Sequence, residues 1–186
     1  MAETTDIKAG QLLVSEPFMY DRHFRRTGVL LCDHGEGGST GFIINRPEKH
    51  QIADLIPDLE GFESTVYYGG PVANDAIQYL HTRGDLLEDS ARVLDGLYWG
   101  GNFEKLKFLI QAGMILPNDI RFYRGYSGWS TGQLSDELKR RDWIVTDAYA
   151  DYIFRTRPEH LWQEVMRRQG NFFAALAQLP GSQIMN

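Results

Sequence analysis

The sequence predicts an α+β fold built on a largely antiparallel sheet. Apolar segments of strand length follow one another through the first half of the chain with short turns between them, and segments with helical periodicity concentrate in the second half. The alternation of strand and helix over residues 97–148 keeps a doubly wound α/β fold open as the alternative. At 186 residues with 42% hydrophobic residues, the chain suits one domain with a sizeable core. We expect that domain to cover residues 1–186, with a flexible segment at residues 1–9.

The first half of the chain predicts strands punctuated by proline and glycine. Pro17 ends the first strand, and Asp21 is placed to cap a single helical turn. The glycine-rich residues 35–40 predict the turn of a hairpin, and residues 50–55 predict a short helix that ends before Pro57. The predicted strands are residues 12–14, 27–34, 41–45, 66–68 and 76–81.

The second half of the chain predicts most of the helices. Asn102 is a suitable N-cap and Gly113 a suitable C′ residue for one helix, whose apolar residues, Phe108 among them, favour one face. Pro158 at a first-turn position opens another helix, which stops at Gly170. The predicted helices are residues 103–112, 131–140, 151–154, 158–168 and 172–179, the predicted strands are residues 97–99, 120–126 and 143–145, and residues 127–130 are predicted as a turn.

Charge and cysteine content limit the classes of function. A net charge of −6 repels phosphate backbones, so direct nucleic-acid binding is disfavoured. Basic clusters such as Arg155, Arg157, Arg167 and Arg168 stand beside acidic residues and predict solvated faces with ion pairs. The lone Cys32 cannot form an internal disulfide, and no apolar segment approaches the ~20 residues of a membrane-spanning helix. We therefore expect a cytoplasmic protein that makes no membrane contact.

Several motifs, in order along the chain, resemble the AlgH/YqgE family. They are GQLLVSEP (10–17), TGVLLCDH (27–34), GFIINRP (41–47), YGGPV (68–72), GYSGW (125–129) with GQL (132–134), and LW (161–162). The resemblance implies an α+β fold in which a strongly bent sheet forms a pseudo-barrel with flanking helices. It also implies a regulatory role in transcription that rests on genetics more than on chemistry, and it brings no catalytic residue.

Cys32 and His34 lie two residues apart on a predicted strand. Their side chains therefore leave the same face and could form a thiol–imidazole pair, which would serve a thiol-dependent enzyme or a redox sensor. A nucleophilic pair also needs a third group that orients the base, and a zinc site needs two further ligands. A buried cysteine that packs as a small hydrophobic residue is the structural interpretation, and we favour it.

Asn45 and Arg46 end an apolar strand with an amide and a guanidinium group. The planar guanidinium can hold a carboxylate or phosphate through two hydrogen bonds, which makes this pair a candidate ligand anchor. The structural interpretation makes Asn45 a turn former and Arg46 an ion-pair partner of Asp21 or Glu48. Both interpretations stay open at the level of sequence.

Glycine-rich corners supply the remaining candidate ligand residues. Gly69 and Gly70 follow a predicted strand, and residues 125–129 join a predicted strand to a helix with Gln133 in its first turn. Backbone N–H groups and the helix dipole would favour an anion there, although no phosphate-loop pattern is present. Tight turns that pack a tryptophan are the structural alternative. The candidates in this second segment are Gly125, Gly128 and Trp129, together with Gln133.

His81 closes a predicted strand and could face the same opening as Arg46, although a capping or solvent-facing histidine is the commoner case. No residue pattern indicates a cofactor or a metal site.

The sequence therefore predicts a non-enzymatic binding or regulatory module for a protein partner or a small anionic ligand. An enzyme or redox sensor based on Cys32 and His34 is the alternative, and a direct DNA-binding regulator is disfavoured by charge.

Overall fold

The computed structural model describes residues 7–179, and all elements below lie within that range. The strands are β1 Gln11–Ser15, β2 Gly28–Gly35, β3 Gly38–Ile43, β4 Pro47–Gln51, β5 Thr65–Tyr68, β6 Val72–His81, β7 Ala91–Leu94, β8 Leu97–Trp99, β9 Ile120–Trp129 and β10 Trp143–Asp147. The helices are α1 Ile52–Leu55, α2 Phe103–Gln111, α3 Gln133–Lys139, α4 Asp151–Phe154, α5 Pro158–Arg168 and α6 Asn171–Ala177, with 3₁₀ turns at Pro57–Leu59 and Pro117–Asp119.

The ten strands form one curved sheet that does not close. The main path runs β10-β1-β2-β3-β9-β6-β8-β7, and β5 joins β9 on one side and β4 on the other. Among the described strands every pairing is antiparallel except β5 with β9. The curvature of the sheet brings β7 close to the start of β1. A Cβ on Gly10, the residue before β1, would lie 2.7 Å from the carbonyl oxygen of Val93 in β7. This arrangement confirms the expected α+β fold with a bent, largely antiparallel sheet and flanking helices.

Three groups of buried side chains hold the sheet and its helices together. The interior of the curve is filled by residues of β1, β2, β3 and β9 and is covered by α4, α5 and α6. A second group packs α1 and α2 against β5, β6 and β9, and a third packs α3 against the outer face of β1, β2 and β3. The helices therefore pack on both faces of the sheet.

Strong local signals placed several elements correctly. Helix α5 spans Pro158–Arg168 as predicted, with Pro158 in its first turn. Helix α2 is capped by the Asn102 side chain, which accepts a hydrogen bond from the Lys105 amide at 2.9 Å, and Gly113 follows it with φ of +69°. The placement of Phe108 on the buried face was wrong, because this side chain is 64% exposed.

The hairpin and its neighbours differ from the prediction in three places. The predicted turn over residues 35–40 is wrong in extent, because β3 already begins at Gly38. Residues 47–51 form the edge strand β4, so the predicted helix over residues 50–55 shrinks to Ile52–Leu55. Asp21 caps a hydrogen-bonded turn and not a helix, with its carboxylate accepting from the His23 amide at 2.8 Å.

Strand β9 continues where a turn was predicted. Residues 127–130 were expected to leave the sheet, but Ser127, Gly128 and Trp129 pair with β3. The helix that follows begins at Gln133, two residues later than predicted, and the short strand β7 was not predicted at all. In the described part of the chain, no helix combines the length and the apolar character needed to cross a membrane.

Candidate functional site

A groove of about 460 Å³ opens between the tip of the β2–β3 hairpin and the end of β9. The pairing of Thr40 with Gly128 and of Ser39 with Trp129 brings these two chain segments together. The side chain of Val72, at the start of β6, forms part of the opposite wall and is 36% exposed. The lining residues are Asp33, Gly35, Gly37, Gly38, Ser39, Thr40, Val72, Tyr126, Gly128 and Trp129.

Glycines give this groove its depth. A Cβ on Gly35 or Gly37 would meet no atom of the described residues within 4 Å, so the part of the chain that the structure describes leaves the space above them open. Gly38 has a different role, since its φ of +124° is a glycine conformation and a Cβ there would lie 2.3 Å from the Trp129 carbonyl oxygen. A chain bound in the groove could therefore approach the backbone of the hairpin directly.

His34 and Ser39 face each other across the hairpin. They are register partners, and His34 Nδ1 lies 2.7 Å from Ser39 Oγ. This is a cross-strand polar pair that stabilises the hairpin at the edge of the groove. Within residues 7–179, the other ring nitrogen of His34 has no hydrogen-bonded group that would orient it as a catalytic base.

Cys32 belongs to the core inside the curve of the sheet. It is 7% exposed, and its thiol lies 3.7 Å from the Leu30 carbonyl oxygen. A register shift between Leu31 and Asp33 interrupts the alternation that would have placed Cys32 and His34 side by side. Burial, and secondarily the charge of Asp33, raises the pKa of the Cys32 thiol far above its ordinary value. The geometry thus supports the interpretation of Cys32 as a packed hydrophobic residue.

Trp129 lines the groove but is only 5% exposed, because its ring packs against neighbouring aromatic rings. Its ring lies 6.2 Å from that of Phe24 and 6.0 Å from that of Trp143. Its indole N–H donates to Glu137 of α3 at 2.8 Å. Gln133 also donates to Glu137, at 2.9 Å, and accepts from the Ser130 amide at 3.1 Å. Trp129 and Gln133 therefore fasten α3 to the sheet.

Gly69, Gly70 and Gly125 mark a close crossing of two chain segments. A Cβ on Gly69 would lie 2.3 Å from the Gly125 carbonyl oxygen, and one on Gly70 would lie 2.3 Å from Tyr126. The Gly69 amide donates to the Arg124 carbonyl at 2.9 Å, and its carbonyl accepts from Ser127 Oγ at 3.0 Å. The glycines are needed because two backbones touch, which leaves no room for a ligand between them.

Asn45 and Arg46 hold the turn that precedes β2. The Asn45 side chain accepts from the Gly28 amide and donates to the Arg26 carbonyl, both at 3.0 Å. Arg46 donates to the carbonyls of Arg22 at 3.0 Å and Arg25 at 2.8 Å. Burial lowers the pKa of Arg46 from its ordinary value.

Neither expected acidic partner forms an ion pair with Arg46. Glu48 instead pairs with Arg124, with an N–O distance of 2.7 Å, and Asp21 acts on Arg46 only through its charge. Beside this cluster, Tyr68 Oη lies 2.7 Å from His23 Nδ1. Sequence reasoning did not anticipate backbone carbonyls as partners, because they lie more than 20 residues away in the chain.

His81 is the last residue of β6, pairs with Tyr98 of β8 and is fully buried. Its Nε2 lies 3.0 Å from the Gly100 carbonyl, and its Nδ1 accepts from the Arg83 amide at 3.2 Å. These partners select the neutral tautomer with the proton on Nε2. Burial lowers the pKa of His81, which keeps the ring neutral. His81 is therefore enclosed in the sheet and does not reach an opening shared with Arg46.

The predicted candidate residues consequently lie in separate places and do not share one opening. Gly128 and Trp129 border the groove with the previously unassigned Asp33, Ser39, Val72 and Tyr126. The expected anion-binding loop does not exist as a loop, because residues 125–129 belong to β9. The glycines at positions 35, 37 and 38 were the sequence feature that could have pointed to this groove, but they predicted only a turn. Within the described residues, no three His, Cys, Asp or Glu side chains are grouped to hold a metal ion.

The fold defines a class of α+β proteins built on a single curved, open and largely antiparallel sheet. The chain belongs to the AlgH-like family (DUF179), whose family model matches residues 12–174.

Relatives and solved structures agree with this assignment. A UPF0301 protein from Chlorobaculum parvum is 38% identical over 97% of this chain and 96% of its own, and one from Cytophaga hutchinsonii is 40% identical over 92% and 94%. The solution structure of AlgH from Pseudomonas aeruginosa has a TM-score of 0.71 and 28% identity, and covers 92% of this chain and 93% of that one. A crystal structure from Corynebacterium diphtheriae shares the fold, with a TM-score of 0.78 at 21% identity, covering 94% and 93%.

Proposed function

We propose that this chain is a non-enzymatic binding module whose glycine-lined groove holds an extended, positively charged segment of a partner protein. The observation that carries the proposal is the open space above Gly35 and Gly37, where a Cβ would meet no atom of residues 7–179 within 4 Å. An extended peptide needs backbone access along its length, and a surface without side chains provides it.

Charge supports a cationic segment as the occupant. Asp33 lines the groove and forms no ion pair with any residue between 7 and 179, while Glu36 is exposed at the hairpin tip. Among residues 7–179 no lysine or arginine lines the groove, and the protein carries a net charge of −6. A segment with Lys or Arg side chains would be attracted to this surface, whereas an anionic ligand would be repelled.

The same features argue for a regulatory effect exerted through a protein partner. The buried Cys32 has a raised thiol pKa, so a reactive thiolate is disfavoured there. The negative charge also opposes direct contact with DNA. An influence on transcription would then pass through the partner and not through promoter binding by this chain.

Selection from a library of short random peptides tests the proposal. Enriched peptides are expected to be rich in Lys and Arg and to bind the wild type in calorimetric titrations. Leucine at Gly35 or Gly37 fills the groove, and neither glycine has φ in the left-handed region, so the fold is expected to tolerate the change. Affinity should fall about tenfold or more in Gly35→Leu and Gly37→Leu.

Gln111→Leu, on the exposed side of α2, is the control and should bind the peptides like the wild type. Enriched peptides of neutral or acidic composition, or equal affinity of the groove-filling variants and the wild type, would overturn the proposal.

A further inference from the structure

A second concave surface lies between α4 and α5, away from the hairpin groove. This cleft has a volume of about 640 Å³, within the range of sites for small organic ligands. Its lining residues come from both helices and from the loop that joins them. The side chains that matter for recognition are Tyr149, Tyr152, Arg155, Thr156, Arg157 and Arg168.

Donors collect at the end of the cleft where α5 begins. Arg157 is the N-cap residue of α5 and is exposed, and neither its guanidinium nor the Thr156 hydroxyl has a hydrogen-bond partner within the described range. His160 lies one helical turn beyond Arg157 and lines the same cleft. These three side chains offer hydrogen-bond donors that the protein itself leaves unused.

Arg155 adds a cation that is only loosely held. Its Nε lies 3.4 Å from the Asp151 carboxylate, and the two side chains are 79% and 66% exposed. An exposed ion pair of this kind contributes little stability, since water and salt screen it. A bound anion could therefore compete with Asp151 for Arg155 at small cost.

Aromatic rings form the middle of the cleft. Arg168 Nη1 donates to Tyr152 Oη at 2.7 Å and its guanidinium lies 5.6 Å from the centre of the Tyr152 ring, which fixes both groups. Tyr149 packs edge-on against Tyr152 with a centroid distance of 5.5 Å and remains exposed. A planar ring of a ligand could stack on Tyr149 while its anionic group reached Arg157.

The charge balance favours a compact dianion. Three guanidinium groups face two carboxylates, Asp151 and Glu164, in a protein that is acidic overall. A phosphate monoester carries close to two negative charges near neutral pH and accepts several hydrogen bonds, which matches the convergent donors better than a single carboxylate does. The acidic surface elsewhere excludes a nucleic-acid backbone as the source of the phosphate.

We propose that the α4–α5 cleft binds a small organic phosphate, with the phosphate group on Arg157, Arg155, Thr156 and His160 and a planar ring on Tyr149. Glu164 also lines the cleft, about 10 Å further along the axis of α5 than Arg157 at 1.5 Å of rise per residue. Its negative charge repels the phosphate and limits the affinity. Substitutions of Arg157 and of Glu164 are therefore expected to change the affinity for the phosphate in opposite directions.

The proposal is tested by titrating the full chain with phenyl phosphate. Binding is monitored by calorimetry and by the NMR chemical shifts of the backbone amides of residues 149–160. Phenyl phosphate is expected to bind more tightly than either inorganic phosphate or phenol. Arg157→Gln should weaken it about tenfold or more, since a charge-assisted contact is lost. Glu164→Gln should strengthen it about threefold, because a like charge is removed.

Arg92→Gln, at an exposed position on β7, is the matched charge control and should leave the affinity unchanged. Gly37→Leu should also leave it unchanged, which separates this site from the hairpin groove. The proposal is overturned if phenyl phosphate does not bind at about 1 mM, if it binds no better than inorganic phosphate, or if Glu164→Gln and Arg157→Gln have the same affinity.

Discussion

Trp129 and Trp143 share a single acceptor: both indole N–H groups donate to Glu137 Oε2 at 2.8 Å. One tryptophan ends β9 and the other begins β10, so the carboxylate of α3 links two strands that are not neighbours in the sheet. The second oxygen of Glu137 accepts from Gln133. This bond network fixes α3 behind the groove and positions the end of β9.

Replacing Glu137 by alanine should destabilise the protein substantially. Two buried indole N–H groups would lose their acceptor, at a cost of about 2 to 4 kcal/mol in the free energy of unfolding. Chemical denaturation with intrinsic fluorescence measures this directly. Asp136→Ala, a neighbouring exposed acid of α3, serves as control and should leave the denaturation midpoint close to that of the wild type. Equal midpoints for the two variants would contradict the proposed link.

The crossing at Gly70 should tolerate no side chain. In Gly70→Ala the new methyl group would lie 2.3 Å from backbone atoms of Tyr126, at a φ of +150° that disfavours other residues. We expect the free energy of unfolding to fall by at least about 3 kcal/mol. Gly37→Ala, with open space around its Cβ, should have no measurable effect. A ligand-binding role for Gly70 would instead predict a stable Ala variant with impaired binding.

His81 should make stability depend on pH. Burial lowers the pKa of this histidine, so its contribution is present above the ordinary histidine pKa and is lost as pH falls through the lowered value. The free energy of unfolding should therefore decrease as the pH falls below about 6.5, with a slope of up to about 1.4 kcal/mol per pH unit from this group. In His81→Gln, which cannot titrate, the slope should be smaller by that amount. Parallel pH profiles for the two proteins would contradict the assignment.

Cys32 should resist thiol reagents in the folded protein. The raised pKa and low exposure of its thiol keep the thiolate population negligible near neutral pH. Reaction with a disulfide reagent is expected only at the rate of unfolding and to become fast in denaturant. Stoichiometric reaction within seconds under native conditions would revive the thiol-dependent enzyme or redox sensor as the function.

Sequence patterns predicted the elements whose signals are local. Pro158 and Asn102 are such signals, and the helices that they begin occur where expected. The extension of β9 could not be predicted, because Gly125 and Gly128 look like turn residues until the crossing with residues 69–72 is known. The carbonyl partners of Arg46 depend on a contact between segments more than 20 residues apart, and the Ser39 partner of His34 depends on the register after a bulge in β2.

The basic residues of the α4–α5 cleft are a second case in which sequence spacing did not predict the arrangement in the structure. Arg155, Arg157 and Arg168 were predicted to lie on solvated faces with ion pairs. That prediction describes Arg155, which pairs with Asp151, but Arg168 is held by Tyr152 and Arg157 has no ion-pair partner within the described chain. Their shared cleft arises from the turn between α4 and α5, which spacing alone does not specify.

Site-specific photo-crosslinking in living cells tests the partner-binding groove most directly. A photoreactive phenylalanine analogue at Val72, in the groove wall, is expected to give one predominant adduct with a protein, and Gly37→Leu in the same chain should abolish it. The same analogue at the exposed Leu116, outside the groove, should not give that adduct. An identical adduct from both positions, or one that persists when Gly37→Leu fills the groove, would contradict the account.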